Sequence, residues 1–113
     1  MALATFLHEG RSIDYTPGSD VAAGDVVVQG ELVGIAKLDI KANTLGALAV
    51  AGVFDIAKAT GGGTAITAGA LVYWDAGAEQ ATTSAAAGAN KLLGKTVAAA
   101  ADGDATVRVR LSQ

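Results

Sequence analysis

The sequence predicts an all-β fold, a compact small barrel or sandwich built from two similar β units behind an extended N-terminal arm. Three observations carry this. Short aliphatic or β-branched runs at 26–28, 32–35, 48–54, 71–74, 93–97 and 106–111 are separated by Gly, Asn and Asp. One phrase occurs twice. Val21-Ala22-Ala23-Gly24-Asp25-Val26-Val27-Val28 leads to Leu32-Val33-Gly34-Ile35-Ala36, and Ile66-Thr67-Ala68-Gly69-Ala70-Leu71-Val72-Tyr73-Trp74 leads to Leu92-Leu93-Gly94-Lys95-Thr96-Val97. Finally, residues 106–111 alternate, with Val107, Val109 and Leu111 on one side and Thr106, Arg108 and Arg110 on the other.

Taken in order, the chain reads as a single domain over 1–113, with an arm at 1–19, a first β unit at 20–60 and a second at 64–113. In the arm, 1–7 is an apolar strand or tail and His8-Glu9-Gly10-Arg11-Ser12 is polar. Ile13-Asp14-Tyr15-Thr16 alternates and stops at Pro17-Gly18. Ala57-Lys58-Ala59 fits one helical turn, and Gly61-Gly62-Gly63 joins the units. Residues 81–89 are alanine-rich and favour helix, but Thr82-Thr83-Ser84 and Gly88 interrupt them, so they are expected to form a loop. The repeat extends to a small polar turn and a closing strand in each copy, near Asn43 and near Asp102-Gly103-Asp104. Duplication and convergent β-turn-β patterning both account for it.

Composition narrows the function. Of 113 residues, 51% are hydrophobic but only 4% aromatic, so the core is made of small side chains. Burial contributes about 25 cal/mol per Å², so such a chain gains by burying further surface in an assembly. The net charge is −3, and the basic residues Arg11, Lys37, Lys41, Lys58, Lys91, Lys95, Arg108 and Arg110 are scattered. That argues against a nucleic-acid partner. The absence of cysteine excludes disulfides, thiol catalysis and zinc ribbons. No apolar run has the length of a membrane span, and no signal peptide is expected, so a soluble protein made in the cytoplasm, without a membrane partner, is the expectation.

Candidate chemistry is sparse. Gly94-Lys95-Thr96 resembles the end of a phosphate-binding loop, which requires a first glycine where Ala89 stands and a helix where Val97-Ala98 follows. In the repeat, Gly94 matches Gly34, before Ile35-Ala36, so the triplet reads as the start of a strand. His8-Glu9 is the only His-carboxylate neighbour pair, and neighbours on an extended chain point opposite ways. Asp102-Gly103-Asp104 lacks the ligand spacing of a calcium loop and reads as a turn. No catalytic residue, metal or cofactor is assigned, and the chain is read as a non-enzyme. Tyr73-Trp74 is the most specific local feature, with one ring expected in the core and the other at an interface.

The order of motifs carries a resemblance. Glu9-Gly10, Ile13-Asp14-Tyr15-Thr16, Ala23-Gly24-Asp25-Val26-Val27, Leu32-Val33-Gly34-Ile35-Ala36, Gly52-Val53-Phe54, Ala68-Gly69, Val72-Tyr73-Trp74-Asp75 and the 101–111 ending occur in sequence. Together they resemble a family of small tailed-phage and prophage proteins known as capsid cement or decoration proteins. That resemblance implies a virion protein on the outer surface of the expanded icosahedral head. It implies a homotrimer that binds the major capsid protein and clamps neighbouring subunits. Phe6, Leu7, His8, Glu9, Arg11, Tyr15, Tyr73 and Trp74 are then the candidate capsid or self contacts, and the arm is expected to be loosely held in the free protein. The competing reading is a small β-barrel module displayed on a virion that binds host-surface glycans.

Overall fold

Nine short strands build two separate antiparallel sheets, and a computed structural model describes them over residues 3–7 and 10–112. The first sheet has the order β1-β4-β3-β2, from β1 (Ser12–Tyr15), β2 (Val26–Gln29), β3 (Leu32–Ile35) and β4 (Gly46–Ala49). The second has the order β5-β9-β8-β6-β7, from β5 (Gly52–Ala57), β6 (Leu71–Asp75), β7 (Gln80–Thr82), β8 (Lys91–Thr96) and β9 (Thr106–Leu111). The all-β class is as predicted, although neither sheet closes into a barrel.

The repeated phrase lands on repeated structure. β1, β2, β3 and β4 hold the places of β5, β6, β8 and β9, and β7 is added outside β6. An isolated bridge precedes each hairpin, Val21 with Ile40 and Ile66 with Ala100. The amide of Gly24 donates to Ala36 O at 2.6 Å, and that of Gly69 donates to Thr96 O at 2.9 Å. Val27 pairs with Gly34, and Val72 with Gly94. Both glycines are needed because the next strand passes close. A Cβ on Gly34 would lie 2.8 Å from Leu48 Cβ, and one on Gly94 would run into the Arg110 carbonyl oxygen.

The sheets divide the chain differently from the predicted units. β1 lies in the stretch read as arm. The apolar run 48–54 breaks at Val50-Ala51, so β4 pairs in the first sheet and β5 in the second. Two local expectations are corrected. Ala57-Lys58-Ala59 is not a helical turn, because Ala57 ends β5 and Lys58 bridges Ala81 in parallel. The 81–89 segment is not wholly loop, because β7 claims its start and a short 3-10 turn spans Ala86–Gly88. Pairing with β6 overrides the local alanine propensity there.

Small aliphatic residues fill the core as the composition requires. Val33 and Ile35 of the first sheet join Ile56, Val72, Trp74, Leu93, Val107, Val109 and Leu111 of the second in one buried cluster. This is the inner face of the second sheet, and it meets the outer face of the first. A smaller cluster of Ala36, Ile40 and Leu48 lies on the opposite, inner face of the first sheet, with Ile13, Tyr15, Val21 and Val27 partly buried against it. Aspartates hold the connecting turns. Asp102 Oδ1 accepts from the amides of Thr64 and Ala65 at 3.0 and 2.8 Å. Asp20 accepts from Ala42 N at 2.9 Å, and Asp39 from Ala23 N at 2.8 Å. These bonds satisfy turn amides that would otherwise lack partners.

Candidate functional site

The candidate contact residues fall into three places. Phe6 and Leu7 lie with Leu3 in a segment outside both sheets and are 77%, 83% and 97% exposed. His8 and Glu9 lie outside the described residues. Arg11 is exposed just before β1, its carbonyl accepting from Val50 N at 2.9 Å. Tyr15 sits half-buried in the smaller cluster on the first sheet. Tyr73 and Trp74 part as neighbours on a strand must. Trp74 enters the main core at 9% exposure, and Tyr73 stays half-buried. The arm, Tyr15 and the aromatic pair therefore belong to separate surroundings and do not converge on one pocket.

The catalytic-looking triplet is structural. Gly94-Lys95-Thr96 lies inside β8, with Gly94 paired to Val72 on one side and Leu111 on the other. Thr96 is buried, its hydroxyl donating to Thr67 O at 2.6 Å and accepting from Ala70 N at 3.0 Å. It clips the approach to β6, while Lys95 points outward and is exposed. Among the described residues, no three His, Cys, Asp or Glu side chains cluster as a metal site would need.

The outer face of the second sheet was legible only in part. Alternation on β9 placed Arg108 and Arg110 together, and the structure adds Lys95, Val53, Asp55 and Leu71 to that face, all exposed. Arg108 Nε and Nη2 donate to the two carboxylate oxygens of Asp55 at 2.9 and 3.2 Å. That bidentate bond, with the guanidinium charge, holds the Asp55 carboxyl below its ordinary value and the guanidinium above its own. Lys95 pairs directly opposite Arg110.

The sequence pattern of the phage cement protein family matches residues 7–111. The chain belongs to that family. The cement protein's all-β architecture and its capsid-stabilising, structural family role agree with what the motif order implied. No curated protein and no solved structure matches the chain.

Proposed function

We propose that this cement protein binds the outer surface of the expanded head and clamps neighbouring copies of the major capsid protein, acting as a homotrimer. The observation that carries the reading is the arm. Leu3, Phe6 and Leu7 are large apolar side chains left in solvent, in the part of the chain that leads to β1, the edge strand of the first sheet. Exposed apolar groups of this size gain free energy when covered, and an extended segment is suited to adding a strand to a neighbour's edge. Tyr73 and Arg11 are further contacts in this reading, and Trp74 serves by holding β6 rigid. Many weak contacts across several subunits then add through their linkage.

The test is cosedimentation with expanded, undecorated heads of the source phage, and with heads of an unrelated phage. Saturable binding to the former, weakened when residues 3–7 are deleted, is expected. A chain that stays in the supernatant at micromolar concentration overturns the reading.

A further inference from the structure

We propose that the outer face of the second sheet docks, head to tail, on the inner face of the first sheet of a second copy. The inference deepens the homo-oligomer reading above and rests on it. Its template is inside the chain. Matched through Gly34 and Gly94, Ile35 corresponds to Lys95, and Ala49 to Arg110. In the first sheet this face is covered, with Ile35 and Ala49 each 4% exposed, and Val26 and Ile35 line an apolar gap of about 170 Å³ against Phe54, Ile56 and Trp74. In the second sheet the same face is open. It carries Val53 and Leu71, 55% and 47% exposed, around the Lys95–Arg110 pair.

That pair needs an anion. Like charges directly opposite on adjacent strands destabilise one another, and neither side chain has an ion-pair or hydrogen-bond partner among the described residues. The other free face supplies carboxylates. Tyr15, Val21 and Val27 on the inner face of the first sheet are half-buried. Their counterparts Ile56, Ile66 and Val72 are 4%, 5% and 0% exposed, because the first sheet covers the second. Beside Val21 and Ile40 stand Asp20, Asp25 and Asp39, around a depression whose one cation, Lys41, lies 3.9 Å from Asp20 and is mostly solvated. A basic-apolar face and an acidic-apolar face on one chain make a heterologous contact, which builds a ring when the rotation between copies closes and a filament when it does not.

Native mass spectrometry and mild oxidation of engineered cysteines test this, the chain having no cysteine of its own. The wild type is expected to be oligomeric. Lys95→Glu/Arg110→Glu is expected to raise the dissociation constant roughly 100-fold, as like-charge contacts replace opposite ones. Should that variant fail to fold by circular dichroism, Lys95→Gln/Arg110→Gln gives the same readout with a smaller shift. Tyr15→Cys/Leu71→Cys, which stand where Ile56 and Val26 stand across the gap inside the chain, is expected to form linked oligomers, while each single cysteine variant forms none. An oligomer that neither charge variant weakens, or single variants that cross-link as well as the double, overturns the inference. A monomeric wild type overturns it too, and cosedimentation with heads then decides the cement reading separately.

Discussion

Gly34 and Gly94 hold the same place in the two sheets but face different obstacles. Gly34 abuts the side chain of Leu48, and Gly94 abuts the backbone of Arg110. The Leu48 contact is with its Cβ, 2.8 Å away, and a small backbone shift relieves it, whereas the Arg110 carbonyl is met far more closely and sits in a ladder that cannot give way without losing pairs. Gly94→Ala is therefore expected to cost about 3 kcal/mol and Gly34→Ala about 1–2 kcal/mol. The difference in urea midpoints between the two variants checks this.

The core relies on a few fully buried aliphatics. Leu93 is 0% exposed between the sheets, so Leu93→Ala leaves a cavity there and is expected to cost about 3 kcal/mol. Leu38 is 77% exposed, and Leu38→Ala should change stability by less than about 0.5 kcal/mol. Denaturant titration of both variants reads the contrast.

Asp102 anchors the turn before Ile66 through one oxygen. Both Thr64 N and Ala65 N donate to Oδ1, so Asp102→Asn keeps an acceptor in place and should be nearly neutral. Asp102→Ala removes it and should cost about 1 kcal/mol. Equal losses in the two variants would show that charge, not acceptance, holds the turn.

The Asp55–Arg108 pair sets an acid limit. The hydrogen bond from Arg108 lowers the Asp55 carboxyl below its ordinary 3.8. A carboxyl depressed by folding stabilises above its unfolded value, and that stabilisation is lost as pH falls through the lower folded value. Stability measured from pH 6 downward should thus show a wild-type advantage over Arg108→Gln that persists to near pH 4 and vanishes below it. The pair is solvent-exposed, so the advantage is small.

The arm yields a labelling experiment. Residues 3–7 belong to neither sheet, so their amides should exchange rapidly in the free protein and slow on decorated heads. Strong protection in the free chain would contradict the assigned role.

Much of the fold was readable because its signals are short-range. Gly24 and Gly69 mark matching turns, and alternation from Val107 to Leu111 marks a half-buried strand. What escaped was set by pairing across distance. The one local mark in Leu48 to Phe54 of the change of sheet at Val50-Ala51 is Gly52, and a single glycine inside an aliphatic run reads equally well as a bulge within one strand. Lys58 and Ala81 are far apart in sequence, so their bridge left no local mark, and alanine propensity pointed elsewhere. Phe6 and the Tyr73-Trp74 pair stand out in the sequence because large rings are scarce here, and the structure leaves Phe6 exposed and Trp74 in the core. The partnership of Lys95 with Arg110 required knowing which strands are neighbours.

The switch at Val50-Ala51 has a mechanical consequence. Each sheet is woven from its own continuous stretch, and this dipeptide is the one covalent tie between them. Tension across the molecule is borne by that tie, by the apolar layer around Val33, Ile35 and Leu93, and by the Lys91–Glu31 ion pair at 2.9 Å. Sliding of one sheet over the other would break that layer and the Lys91–Glu31 ion pair without opening either ladder of hydrogen bonds. A load carried onto both sheets from outside would spare this seam.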